Sequence, residues 1–262
     1  MDKLERLREE IVRKGKILVA FSGGVDSGLL AKVAYNVLGD NALAVTLDTV
    51  TLPRNELEDA KDIAYGIGIL HKVVQFSELE NVKFTKNPPD RCYHCKKESS
   101  RFLKELAAQE GIETIAYGVN ISDFDEHRPG IVACSEEGIW HPFVEVGITK
   151  SEVRAFAREV GLPSWDKPSM ACLSSRIPYG DPITKEKLKM IEDAEGVLRT
   201  LGLHQYRVRI HGNIARIEVL QEDMEELFML KERIILSLKE IGFSYITLDL
   251  EGYRSGSMDE VL

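Results

Sequence analysis

The run Ser22-Gly23-Gly24-Val25-Asp26-Ser27 constrains this chain more than any other feature. A short apolar stretch at 16–21 precedes it, and an amphipathic one at 28–35 follows. That order reads as strand, tight glycine loop, helix. Glycines let backbone approach an anion closely, and the unpaired amides that open a helix point at it with the helix dipole behind them. The hydroxyls of Ser22 and Ser27 add donors. The loop is an oxyanion cradle but not the Walker type, because Gly-x4-Gly-Lys-Ser/Thr is absent.

The first half alternates strand and helix patterns. Apolar runs at 17–21, 42–47, 72–76 and 114–117 predict buried parallel strands. Helix patterns lie near 28–38, 55–67 and 96–109. The alternation predicts an α/β fold, a doubly wound, mainly parallel sheet with helices on both faces. Ligands of such sheets bind at the carboxyl ends of the strands. The loops at 22–27, 48–51 and 118–123 are therefore expected to converge. Asp48 and Asp123 either line that site or are solvated turn aspartates.

The chain changes character after Trp140. A helix is expected over 149–160 with Thr149 or Ser151 near its cap, then a proline-rich joint at 161–168. A smaller α+β unit of αββαβ type follows. Its helix at 184–201 has Leu188, Ile191, Val197, Leu198 and Leu201 for one apolar face. Strands at 206–210 and 215–220 flank His211-Gly212-Asn213 as a hairpin. A helix at 222–240 and a strand at 244–250 complete it. The boundary falls between 161 and 182 and is placed so that domains cover 1–165 and 166–262. The tail from Gly252 to Ser257 reads as short and flexible.

Composition narrows the function classes. The chain has 262 residues, 44% hydrophobic and 29% charged, which suits one or two globular domains. No apolar run reaches the length of a membrane span, and the charged start MDKLERLREE is unlike a signal peptide, so a cytoplasmic protein is expected. A net charge of −9 argues against a large nucleic-acid footprint. Four cysteines in such a setting point to metal or redox chemistry before structural disulfides. Cys92-x2-Cys95 alone is compatible with zinc, with His94 nearby, or with a redox pair. Cys134, in an apolar stretch at 131–137, reads as a small buried hydrophobe. Arg207 and Arg209 share one face of a strand, with Tyr206, Val208 and Ile210 on the other. Two guanidiniums on one face suit a phosphate, and a solvated outer face gives the same pattern. Arg176, close to Cys172, is a further anion-binding candidate.

The string SGGVDS resembles the pyrophosphate loop of the ATP-pyrophosphatase (PP-loop) superfamily, whose fold is the adenine nucleotide alpha hydrolase-like sheet. Members cleave ATP to AMP and pyrophosphate and adenylate an oxygen of their substrate. Three further segments sharpen the likeness. They are Pro88-Pro89-Asp90-Arg91-Cys92-Tyr93-His94-Cys95-Lys96, the run from Lys167 through Cys172 to Gly180, and Arg207-Val208-Arg209. With the loop they resemble the LarE family, ATP-dependent sulfur transferases that make the pincer-nucleotide cofactor of lactate racemase.

The resemblance implies a carboxylated substrate, a pyridinium biscarboxylate mononucleotide. ATP adenylates its carboxylate and sulfur then displaces AMP. It implies ATP and Mg2+ at Ser22, Gly23, Gly24, Asp26 and Ser27, with Asp26, Ser27 and Cys172 catalytic. Asp48 and Gly118 fall beside the nucleotide, and Arg207 and Arg209 at the substrate phosphate. Glu218 and Glu226 match acidic positions, either Mg2+ ligands or exposed charges. One branch of the family sacrifices the sulfur of a single cysteine, here matching Cys172. Another holds a [4Fe-4S] cluster on three cysteines, which Cys92, Cys95 and Cys172 match. Sulfide or a sulfur-donor protein is the implied partner, and a homo-oligomer is expected. The alternatives are a tRNA thiolation enzyme, which would normally carry a basic surface or added RNA-binding domain, an amide-forming synthetase, and a nucleotide-binding sensor without catalysis.

Overall fold

The computed structural model describes residues 2–124, 128–168 and 171–260. In chain order they form α1 (Lys3–Lys14), β1 (Ile17–Ala20), α2 (Val25–Leu38), β2 (Ala42–Asp48), α3 (Arg54–Ile67), β3 (Leu70–Gln75), α4 (Val82–Thr85) and α5 (Arg91–Gln109). Then come β4 (Thr114–Ala116), α6 (Pro129–Glu136), α7 (Pro142–Val146), α8 (Lys150–Glu159) and α9 (Lys185–Thr200). The chain closes with β5 (Tyr206–His211), β6 (Ile214–Val219), α10 (Met224–Met229), α11 (Lys231–Ile241) and β7 (Tyr245–Leu248). They fall into two compact units, Met1–Glu78 with Cys92–Met170, and Leu79–Arg91 with Ala171–Leu262.

The first unit is the expected α/β layer. Its four strands run in the order β3-β2-β1-β4, all parallel. Side chains alternate between faces along a strand, and the alternation divides the core in two. Ile17 and Val19 of β1, with Ala42 and Ala44 of β2, pack with Leu4, Leu7, Leu29, Leu30 and Val153. Leu18, Leu43 and Val45 pack on the opposite face with Leu103, Ala107 and Cys134. The central strands are buried on both faces, which explains their continuous apolar runs. β3 lies at the edge with Leu70 exposed.

The second unit holds a mixed sheet, β5-β6-β7. β5 and β6 are antiparallel with His211 opposite Ile214, leaving Gly212-Asn213 as the turn. β7 is parallel to β6. β5 is an edge strand. Its Val208 amide donates to the Glu195 carboxylate of α9 at 3.0 Å rather than to another strand.

Several boundaries differ from the sequence expectation. α2 starts at Val25, so Asp26 and Ser27 belong to its first turn and not to the loop. α5 starts at Arg91, so Cys92 and Cys95 lie on helix rather than on a loop. The helix expected over 222–240 breaks at Leu230, whose ψ of 2° ends α10 before α11 begins. The tail does not fly free. The Tyr253 amide donates to Val219 O at 2.7 Å, and Ser257 is buried. Thr149 caps α8 in a reciprocal box with Glu152, as the sequence suggested. Among the described residues no helix is long and apolar enough to cross a membrane.

Candidate active site

β1 delivers the 22–27 loop to its carboxyl end, and the loop's shape follows from contacts that exclude side chains. Gly23 has φ +73°, and a Cβ there would sit 2.8 Å from Ala60 Cα of α3. Only glycine meets both demands. Gly24 is different. Its φ is −72°, and the nearest atom to an added Cβ is Ser22 Oγ at 3.5 Å. Gly24 is the N-cap of α2 and has no side chain to satisfy the first-turn amides. Ser22 is exposed, whereas Ser27 is buried. The Ser27 hydroxyl donates to Gly24 O at 3.2 Å and accepts from the Ser22 amide at 3.2 Å. Ser27 thus shapes the loop from within, and Ser22 and Gly24 are its more exposed members.

The loop after β4 presses against this cradle. A Cβ on Gly118 would lie 2.8 Å from the Asp26 carbonyl carbon and 3.0 Å from the Ser27 amide nitrogen. Asn120, fully buried, donates from Nδ2 to Asp26 Oδ1 at 3.0 Å. The Asn120 amide donates to Asp123 Oδ2 at 2.9 Å, so Asp123 closes this turn and is not a freely solvated aspartate. The second carboxylate oxygen of Asp26 takes an ion pair from Lys150. Ser122 Oγ accepts from the Lys150 amide at 3.2 Å, which fixes the start of α8.

The sequence reading missed Lys150, whose partner lies 124 residues away. A signal was available. A lysine in the first turn of a helix opposes the macrodipole, so its presence there asks for an anion. Asp48, at the end of β2, accepts from Arg54 and Gln75. The first and third predicted loops therefore meet directly. The second joins them through α3, whose Ala60 supports Gly23.

In the second unit, Arg207 and Arg209 are 3% and 5% exposed, which overturns the solvated-face reading. Glu218 is fully buried, which overturns its exposed alternative, while Glu226 is exposed. Arg209 grips both oxygens of Glu218, at 3.0 and 2.8 Å, and Arg216 reaches the same carboxylate at 3.0 Å. Arg176, fully buried, holds Glu195 at 2.9 and 3.1 Å. Its Nη1 also donates to Ala171 O, Cys172 O and Ser175 Oγ. Arg176 therefore braces the Cys172 turn. Burial, with Arg176 close by, pushes the Arg207 guanidinium below its usual pKa. A bound anion would relieve both effects.

None of the four cysteines is joined in a disulfide. Cys92 and Cys95 stand three residues apart in the first turn of α5, on one helix face. Cys172 is exposed, with its sulfur 2.9 Å from Ser174 Oγ. Cys134 is buried against Ser100 at 3.8 Å, and burial raises its thiol pKa, as expected of an inert core cysteine. Among the described residues no three His, Cys, Asp or Glu side chains gather where they could hold a metal ion.

A family model described as NAD synthase matches residues 3–106. The pyridinium-3,5-bisthiocarboxylic acid mononucleotide synthase of Lactiplantibacillus plantarum is 36% identical over 248 residues, covering 94% of this chain and 90% of that protein. An uncharacterized protein of Synechocystis sp. is 47% identical over 262 residues, covering 99% and 98%. A glutamine-hydrolyzing GMP synthase component of Archaeoglobus fulgidus is 26% identical over 212 residues, covering 74% and 67%.

The two glycines of the cradle are expected to respond differently to alanine. Gly23→Ala forces a left-handed conformation and a backbone clash, and is expected to cost about 3 kcal/mol. Gly24→Ala is expected to melt with the parent. Thermal denaturation of both variants checks this, and equal melting temperatures would refute the packing account of Gly23.

Proposed function

Given that the chain belongs to the family of the pyridinium-3,5-bisthiocarboxylic acid mononucleotide synthase, the LarE family of PP-loop proteins, we propose that it adenylates a pyridinium biscarboxylate mononucleotide with ATP and replaces AMP by sulfur. A carboxylate is a poor electrophile because oxide is a poor leaving group. Attack of its oxygen on the α-phosphorus of ATP expels pyrophosphate and installs AMP, which a sulfur nucleophile can displace.

The observation that carries this reading is the cradle at the N-terminus of α2, open at Gly24 and backed by Asp26. Ser22, Gly23, Gly24 and the first-turn amides hold the phosphates of ATP, and Ser27 holds the loop in shape. Asp26 is the carboxylate that would hold Mg2+, which supplies charge to offset the phosphates. Asp48 and Gly118 flank the nucleotide. Residues 1–165 carry this ATP chemistry, and residues 166–262 carry the substrate's phosphate and the sulfur step. Arg207 and Arg209 take that phosphate, with Arg176 behind them bracing the Cys172 turn.

Cys92, Cys95 and Cys172 are the residues that would hold a [4Fe-4S] cluster. Their support is donor chemistry alone: three thiols outside any disulfide, two of them one helical turn apart. When bound, such a cluster supplies the sulfur and spares the chain from consuming its own. The thiolated product would enter assembly of a nickel–pincer cofactor. The sacrificial alternative uses the sulfur of Cys172 itself.

Gly24→Val places a side chain in the cradle, where an added Cβ meets only Ser22 Oγ at 3.5 Å, and is expected to fold yet lose AMP-forming turnover. Pyrophosphate release measures it, and undiminished release would remove the cradle assignment. Arg207→Gln is expected to weaken mononucleotide binding at least tenfold and leave ATP binding alone. Calorimetric titration with each ligand checks this, and equal affinities would remove Arg207 from the site. Anaerobic reconstitution is expected to give about four irons per chain. Replacing Cys92, Cys95 or Cys172 should abolish that iron, and Cys134→Ala should retain it. Iron-free protein that turns over once and carries dehydroalanine at 172 would select the sacrificial chemistry.

A further inference from the structure

The chain's last described residues are drawn into the second unit at the arginines. Gly252 makes the entry. Its φ is +72°, and a Cβ there would lie 2.8 Å from Val219 O. The next residue, Tyr253, bonds through its amide to that same carbonyl, and its ring lies 5.0 Å from the Arg207 guanidinium. Ser257 Oγ donates to Glu218 Oε1 at 3.2 Å and accepts from Arg209 Nη2 at 3.1 Å. Met258 Sδ lies 3.6 Å from Arg216 Nη2. Asp259 accepts from the Tyr179 hydroxyl at 2.6 Å. The segment therefore reaches each strand arginine, Arg207, Arg209 and Arg216, through a different side chain.

We propose that residues 253–259 are a strap that holds Arg207 and Arg209 in the posture that receives the substrate phosphate, with Tyr253 and Ser257 as positioning residues. The proposal rests on the phosphate role given to these arginines above. An arginine side chain has rotamer entropy to lose on binding an anion. A ring against the guanidinium plane removes part of that freedom in advance, and Arg207 Nη1 is held as well, donating to Tyr206 O at 2.6 Å. Ser257 does the same for Arg209. Its hydroxyl accepts from the guanidinium and donates to the carboxylate the guanidinium grips, so both members of the pair are oriented together. Arg209 Nη1 meanwhile donates to Ser175 O at 2.9 Å, and the Ser175 hydroxyl donates to Cys172 O at 2.8 Å. The strap thus orders a chain of bonds that ends at the turn bearing Cys172.

The full-length chain, Tyr253→Phe, Tyr253→Leu and Ser257→Ala are each titrated by calorimetry with three probes. The probes are pyridinium-3,5-biscarboxylic acid mononucleotide, its phosphate-free nucleoside, and ATP. Tyr253→Leu and Ser257→Ala are expected to bind the mononucleotide about tenfold more weakly. Tyr253→Phe keeps the ring and should stay within twofold of the parent. Affinity for the nucleoside and for ATP should be the same in all four proteins. A general structural role would lower nucleoside and mononucleotide affinity together, and that result would overturn the strap. Unchanged mononucleotide affinity in Tyr253→Leu and Ser257→Ala would overturn it as well, with the function intact. A parent chain that does not bind the mononucleotide would overturn the functional reading and the strap with it.

Discussion

The close approach of three backbones at the carboxyl end of the parallel sheet governs the first unit. Gly23 lies against Ala60 of α3, and Gly118 lies against the carbonyl of Asp26 and the amide of Ser27. Neither position has room for a methyl group. This crowding turns β1 into α2 within a few residues. Gly24, the residue proposed to face the anion, is the one that is not crowded. Conformational need and chemical need are met by different glycines, although they are adjacent in sequence.

The second unit solves a different problem. It buries Arg176, Arg207, Arg209, Glu195 and Glu218. Burying charge costs several kcal/mol per ion before pairing is counted, and well-packed apolar residues often serve stability as well. Such a cluster is therefore weak evidence for stability and better evidence for a task. Arg176 with Glu195 and Arg209 with Glu218 are bidentate pairs, so these two guanidinium planes are each fixed by a carboxylate. Glu195 also closes the open edge of β5 at Val208, so one carboxylate orients an arginine and protects a strand.

Much of this was legible in the sequence where local pattern and burial agree. The strands at 17–20, 42–48 and 114–116 read correctly because their apolar runs are buried on both faces of the sheet. β3 read less well: Leu70 and His71 open an edge strand, where one side answers to solvent. The start of α5 was hidden because Cys92, Tyr93 and His94 are poor helix formers, and tertiary packing overrides propensity there. Arg207 and Arg209 were ambiguous for a related reason. Alternation tells which residues share a face, but not that α9 and the tail bury both faces of β5. The Asp26–Lys150 pair was out of reach of any local rule, since it depends on β4 and α8 closing on the same helix end.

The two units also handle anions by opposite means, and the proposed chemistry gives this a reason. The cradle is made of amides and a hydroxyl, with Asp26 already answered by Lys150. It carries little net charge of its own, which in the proposed chemistry suits accepting a polyphosphate with its cation and releasing pyrophosphate. The arginine cluster is buried, and in the proposed function its order lowers the entropic cost of holding a single phosphate. That suits a group that does not react and must stay still while the carboxylate at the other end of the molecule is first adenylated and then thiolated. Binding energy taken from such a remote group can be used to hold the reacting carbon in place across both steps. A looser phosphate site would leave the acyl adenylate free to shift and meet water before sulfur.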